Sequence, residues 1–381
     1  MQGGRNTAMD TPGVRSQRLS TYEKWMQQEG VPIIQGHGVQ DVTLIPRRPW
    51  PRMGGQGAFI DLAGMEGITG MYVAEIPPRG ALNSEKHLHE ELIYILQGKG
   101  ATEVWHDGET KQVFEWGEGS LFSPPLNSWH RLYNGSNEPV FFLAVTNAPL
   151  AMDIFHSAEF IFNSQHVFTD RYDGRKNYFE VGERVNRGAG FGVVWNTNFI
   201  PNVKDAEIDP EERKGAGVLI TVFEMSDNAL VGHMAEWPVG RYHKAHYHGG
   251  GAVLLILKSK GYSLMWPRDL GLHPYEEGHG DKVIRVDWKE GSVFSPATAW
   301  FHQHFNTGPQ PARQLALRYG STKHRVRFHS VISGEGVYVS VKEGGTLIEY
   351  EDEDPQIRRD YEAALSGEGI ACQMPQPRRS G

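Results

Sequence analysis

Two groups of histidines in this 381-residue chain stand at spacings that could do chemistry. His87, His89 and Glu91 lie two apart, and Glu85 stands two before them. On a β-strand such residues share one face, so all four would project together. His246 and His248 repeat the arrangement. His130 and His302 each follow a Gly-Ser-x-Phe-Ser-Pro turn, and the expectation is that each arrives from a neighbouring strand. Neutral imidazole is a good ligand for Zn, Fe, Mn, Ni or Cu. Buried imidazoles without partners cost stability, and one divalent ion would satisfy several at once. The plainer alternatives are a hydrogen-bonded histidine network without metal in the first group and a decayed site in the second.

The elements that must position these groups are written twice. Glu91 aligns with Ala252, Gly100 with Gly261, Gly119 with Gly291, His130 with His302 and Asn134 with Asn306. The second copy carries eleven extra residues between its two motifs, around PRDLGLHPYEEGHGDK. Two motifs matched in order and frame point to duplication. Apolar runs such as AFIDLAG, MYVAEI and PVFFLAVT read as strands, and Gly98-Lys99-Gly100 and Gly117-Glu118-Gly119 as turns. Short strands, Gly turns and no long helix predict two antiparallel barrels or jelly rolls. The segments are an N-terminal arm (1–54), a first barrel (55–150), a linker (151–215), a second barrel (216–325) and C-terminal strands with a short helix (326–381). Within them, Thr21 is read as the cap of a helix over 21–29, and Pro-Trp-Pro at 49–51 as a chain break. The linker is read as a few strands packed on or between the barrels, residues 326–350 as further strand, and 353–366 as a helix beginning at Asp354-Pro355.

Composition removes several function classes. Lys and Arg number 38 against 46 Asp and Glu, and no basic cluster marks a nucleic-acid footprint. The longest aliphatic run, Ala252 to Leu257, is far too short to span a bilayer. The start of the chain has no apolar signal segment. The single cysteine, Cys372, permits no internal disulfide and fits a reducing cytoplasm.

The two motifs resemble those of the cupin superfamily, Gly-x5-His-x-His-x3/4-Glu-x6-Gly and Gly-x5-Pro-x-Gly-x2-His-x3-Asn, and the chain is similar to a bicupin. Gly119, Pro125, His130 and Asn134 fall in frame, with Asn127 in place of a glycine. Counted back from Glu91, the histidine pair would fall at 85 and 87, where this chain has Glu85 and His87 and then offers His89. The resemblance implies an all-β fold of two tandem cupin barrels. It implies a first metal centre of His87, Glu91 and His130, completed by His89 or Glu85, with His89 preferred. In the second copy His246, His248 and His302 are in frame, and Ala252 replaces the carboxylate, implying a three-histidine centre.

Three neutral ligands would leave the ion's full charge to meet a small anionic substrate. Three-histidine iron occurs in cupin dioxygenases resembling those of gentisate and β-diketones. The leading expectation is therefore an iron(II) dioxygenase with O2 as co-substrate, and His304 or His243 as proton shuttle. The alternative is a non-redox Mn, Ni or Zn cupin, an isomerase, hydrolase, lyase or decarboxylase of a small carboxylate or sugar acid. A non-enzymatic ligand-binding bicupin is the third reading. Cupins often dimerise through barrel edges, which adds a homo-oligomer to the candidate partners.

Overall fold

A computed structural model describes residues 19–186, 192–210, 212, 214–326 and 339–375. Two barrels of the same topology face each other. Each joins a large sheet to a three-stranded one. In the first barrel the large sheet runs Ile33–Gly36, Gly55–Leu62, Gly70–Ile76, Val140–Thr146, Glu91–Gln97, Leu121–Phe122, Phe199–Ile200. In the second it runs Val193–Asn196, Leu219–Glu224, Leu230–Trp237, Ala312–Tyr319, Val253–Lys258, Val293–Phe294, Gly38–Val39, with Glu183–Asn186 on its outer edge. The small sheets are Trp129–Tyr133, Gly100–Trp105, Gln112–Trp116 and Ile284–Lys289, Lys260–Pro267, Trp300–Asn306.

The central strands read as unbroken apolar runs because both of their faces are covered. In Glu91–Gln97, Leu92 and Tyr94 join Leu255, Leu257, Leu315 and Leu317 in a core between the barrels. Ile93 and Ile95 point the other way, into the first barrel with Phe122 and Phe142. Glu91 shares that inward face. Ala252, Leu254 and Ile256 line the second barrel in the same way.

The two sheets exchange strands. Ile33–Gly36 of the arm pairs parallel with the first barrel, and Gly38–Val39, a residue later, closes the second barrel's sheet. The linker returns the exchange. Val193–Asn196 pairs parallel with the second barrel, and Phe199–Ile200 closes the first. The Gly-Ser turns shared by the two motifs dock these visitors. Ser120 Oγ donates to Pro201 O at 2.7 Å, and Ser292 Oγ donates to Gln40 O at 2.6 Å. Val203 N–H then donates to Gly119 O and Val42 N–H to Gly291 O. The duplication thus extends into the arm and the linker, beyond the motifs that reveal it.

The shared glycines and asparagines have structural reasons. A Cβ on Gly100 would lie 2.0 Å from Tyr133 O, and one on Gly261 1.9 Å from Phe305 O. Asn134 Nδ2 donates to Glu138 O at 2.7 Å and Asn306 Nδ2 to Gln310 O at 2.9 Å, each closing the turn after the histidine strand.

Several local expectations are corrected. Helix Thr21–Gln28 is capped by Ser20, which forms a capping box with Glu23, and Thr21 is its first residue. Arg48–Trp50 forms a strand against Gly55–Gly57, with Pro49 inside it opposite Gln56 and Pro51 opening the turn that follows. The linker contributes helices Ala148–Phe155 and Ala158–Asn163 besides its strands, because Ser157 caps the second and Pro149 begins the first. In the expected strand over 326–350, residues 327–338 lie outside the described residues, and the rest holds a 3-10 turn, Val341–Glu343, with isolated bridges at Ser340 and Leu347. The terminal helix, Pro355–Gly367, begins at the expected Asp354 cap and buries Ile357, Tyr361 and Leu365 against Tyr242, Tyr262 and Phe305.

Candidate metal centres

In the first barrel the strand from Glu91 supplies a carboxylate, the preceding loop supplies His87, and Trp129–Tyr133 supplies His130. One ligand atom from each lies within 4.8 Å of the others. His87 Nε2 is 3.5 Å from Glu91 Oε2, and His130 Nε2 is 3.8 Å from it. All three atoms are buried without a hydrogen-bond partner. Their other atoms are committed. His87 Nδ1 lies 2.7 Å from His89 O, and His130 Nδ1 lies 3.2 Å from Ser128 O. A carbonyl only accepts, so both rings carry their proton on Nδ1 and turn the Nε2 lone pair to the centre. Tyr72 Oη donates to Glu91 Oε1 at 2.6 Å. Three orphaned acceptors around one point are the donor set a divalent cation requires, so the residues fit a metal.

Electrostatics agree. Burial pushes the Glu91 carboxyl up, but the facing His87 outweighs it and draws it down to about 2. Burial lowers His87, yet Glu91 and Glu85 hold it above the usual imidazole value. A cation already belongs in this charge pattern.

His89 does not join the three converging atoms. Its ring stacks on His87 with centroids 3.6 Å apart and planes nearly parallel, and its Nδ1 has no hydrogen-bond partner. Glu85 comes nearer: Oε1 is 3.8 Å from His130 Nε2. Its other oxygen binds Arg52, which also bonds Glu29 at 3.0 Å. The centre opens on a cavity of about 10 Å³ walled by Trp25, Phe59 and Phe162, room for about one water.

In the second barrel His246, His248 and His302 bring one ring nitrogen each within 4.8 Å of one another. Their Nδ1 atoms lie 3.2, 2.7 and 3.1 Å from Lys244 O, Gly249 O and Trp300 O. The same tautomer therefore presents three Nε2 lone pairs, a set that also fits a divalent ion. Burial, then the Lys214 ammonium, holds His246 well below its usual value. Burial and then His304 do the same to His302. Lys214 Nζ donates to His246 Nε2 at 2.9 Å. Burial, and then Arg318, bring that ammonium down to about 7.

The two proposed proton shuttles are as buried as His246 and His302. His302 and His304 share the inward face of Trp300–Asn306, and His304 Nδ1 is 2.8 Å from Ser263 Oγ, which Trp288 Nε1 also reaches. His243 packs on Trp237 at 4.4 Å and on His304 at 5.2 Å, with both ring nitrogens unpartnered. Burial drives both imidazoles well below their usual values, so both are neutral.

The backbone aligns the two centres. Glu85 and His130 exchange N–H···O bonds of 3.1 and 2.9 Å, as do His246 and His302. Glu85 is therefore the counterpart of His246, His87 of His248, and Glu91 of Ala252. Sequence reasoning did not find Arg52, Tyr72 or Lys214. Their only signal was position, Arg52 and Lys214 each standing a few residues before the strand that opens its barrel.

Residues 72–146 match the family model described as Cupin domain. With a second barrel of the same topology beside it, the assignment is direct. The fold is a bicupin. No curated protein matches the chain. Solved structures similar to this bicupin include several of Bacillus subtilis oxalate decarboxylase. A mutant with a four-residue replacement is 13% identical, with 77% of this chain and 79% of that chain covered at a TM-score of 0.48. A serine-to-alanine mutant is 13% identical over 84% and 88% of the two chains, TM-score 0.47. A third, from work on that enzyme's Mn(II) centres, is 14% identical over 77% and 79%, TM-score 0.47. Among the described residues of this bicupin, no helix is long and apolar enough to cross a membrane.

Proposed function

We propose that this bicupin is a metal-dependent enzyme acting on a small carboxylate by non-redox chemistry, as a decarboxylase, hydrolase, lyase or isomerase. The observation that carries it is the difference between the two donor sets. The first set contains Glu91, which cancels part of a divalent charge within the barrel. The second contains three neutral imidazoles, and Ala252 stands where the carboxylate would be. Such a set leaves an anionic substrate to complete the charge balance.

A divalent ion bound there, with Mn, Ni or Zn preferred, would supply Lewis acidity to the substrate's oxygen atoms. The chain's own residues do the positioning. Lys244 O, Gly249 O and Trp300 O hold the three rings in the ligating tautomer. Ser263 orients His304, and burial disfavours the charged form of both His304 and His243, so neither brings a proton to the substrate as an imidazolium.

Oxygen chemistry at iron is the rival reading, favoured by the open positions a three-histidine set leaves. The test is anaerobic incubation of protein loaded in turn with Mn(II), Ni(II), Zn(II) and Fe(II). A panel of mono- and dicarboxylates is followed by NMR for substrate loss, with an O2 electrode run in parallel. Anaerobic turnover supports the proposal. Turnover only with Fe(II) and only with O2 uptake would replace it by the dioxygenase reading.

A further inference from the structure

Each centre has a basic side chain against the residue at the Glu85/His246 position, and among the described residues only Arg52 has carboxylate partners. In the first barrel Arg52 is clasped by Glu85 and Glu29. In the second, the counterpart of Glu85 is His246, and Lys214 donates to it. Among the described residues no carboxylate pairs with Lys214. Glu29, Glu85 and Glu91 set three carboxylates against the single guanidinium of Arg52 at the first centre. At the second, Ala252 and His246 stand in place of both acids, and Lys214 is the basic side chain in contact.

The ammonium also occupies the wrong atom for metal binding. His246 Nδ1 is committed to Lys244 O, so Nε2 carries the ring's only free lone pair, and Lys214 Nζ takes it at 2.9 Å. An ion cannot bond that nitrogen until Lys214 leaves. Once displaced, the ammonium would stand beside a divalent cation in a buried, imidazole-lined space, where like charges repel with little screening. An anion placed between the two removes the conflict, accepting from the ammonium on one side and meeting the ion on the other.

We infer that Lys214 is the carboxylate-binding residue of the second centre and that metal enters that centre only together with a carboxylate. Occupancy of the second barrel is thereby coupled to the anion it acts on, while the first barrel loads without it. The inference rests on the reading of His246, His248 and His302 as metal ligands.

The experiment counts bound Mn(II) by elemental analysis and EPR after gel filtration, in carboxylate-free buffer with and without millimolar acetate, using chloride as control. Wild type should hold one Mn(II) per chain without acetate and two with it, acetate tightening the second equivalent at least tenfold. His130→Ala should hold none without acetate and one with it. Lys214→Met, and Lys214→Gln as a second variant in case the first misfolds, should hold two whether or not acetate is present. Two equivalents in wild type without acetate would overturn the coupling. Failure of both Lys214 variants and of acetate-treated wild type to take a second ion would overturn the coupling along with the metal reading of that barrel. Carboxylate turnover by the singly loaded protein would leave the proposed activity standing without either.

Discussion

Replacing Glu91 with Gln isolates what a metal contributes to the first barrel. The side chain is buried, Tyr72 Oη donates to its Oε1, and Oε2 has no partner. The amide keeps the shape and can still accept from Tyr72, but it removes the anion. In carboxylate-free buffer, Mn(II) at about a hundred times its Kd should stabilise wild type by about 2.7 kcal/mol. A domain of a couple of hundred residues gains about 2–4 °C per kcal/mol, so the melting temperature should rise by about 5–10 °C. Loss of the anionic ligand should weaken affinity by about two decades or more, the upper end of what even outer partners of a ligand contribute. The same Mn(II) concentration then gives about 0.4 kcal/mol and a shift of about 1 °C. Metal-free Glu91→Gln should itself melt lower than metal-free wild type, because the variant loses the pairing with His87 that draws the carboxyl down. Differential scanning fluorimetry with and without EDTA reads both quantities. A full metal-dependent shift in the variant would refute the assignment of Glu91 as a ligand.

Gly100→Ala and Gly261→Ala should each cost about 3 kcal/mol or more, since the added Cβ meets a neighbouring strand's carbonyl. Gly117→Ala, with nothing within 4 Å, should be tolerated, and soluble yield with melting temperature separates the three. Ser292→Ala should cost about 1–3 kcal/mol by leaving Gln40 O and Lys289 N without their buried partner, and Ser120→Ala should match it through Pro201 O. Glu353 offers a pH test away from the ligands. Burial raises its carboxyl from 4.5 to about 7, against the hydrogen bonds from Tyr242 and Gln303. Between those values the folded chain holds a proton that the unfolded chain releases. Stability should therefore fall by about 3 kcal/mol as pH rises from 4.5 through 7, and Glu353→Gln should flatten that slope in calorimetric melts.

The sequence by itself determined the fold class, the duplication and the chemical character of the two centres. These follow from local regularities: period-two spacing puts Glu91 and its apolar neighbours on one inner face, and glycines or asparagines recur where a turn or close approach allows nothing else. Spacing also identified Glu85 as standing where a histidine was due, but it could not choose between Glu85 and His89. That choice depends on which residue lies across from His130, and a ladder between segments some forty residues apart has no local signature. Only the tertiary structure decided that Glu85 is the counterpart of His246. It alone revealed the strand exchange, because Gly38–Val39 and Phe199–Ile200 are too short to declare a partner. It alone brought Arg52 and Lys214 to the two centres. A long side chain's destination is set by the barrel that closes around it, and that closure sets Arg52 between Glu29 and Glu85 and Lys214 against His246.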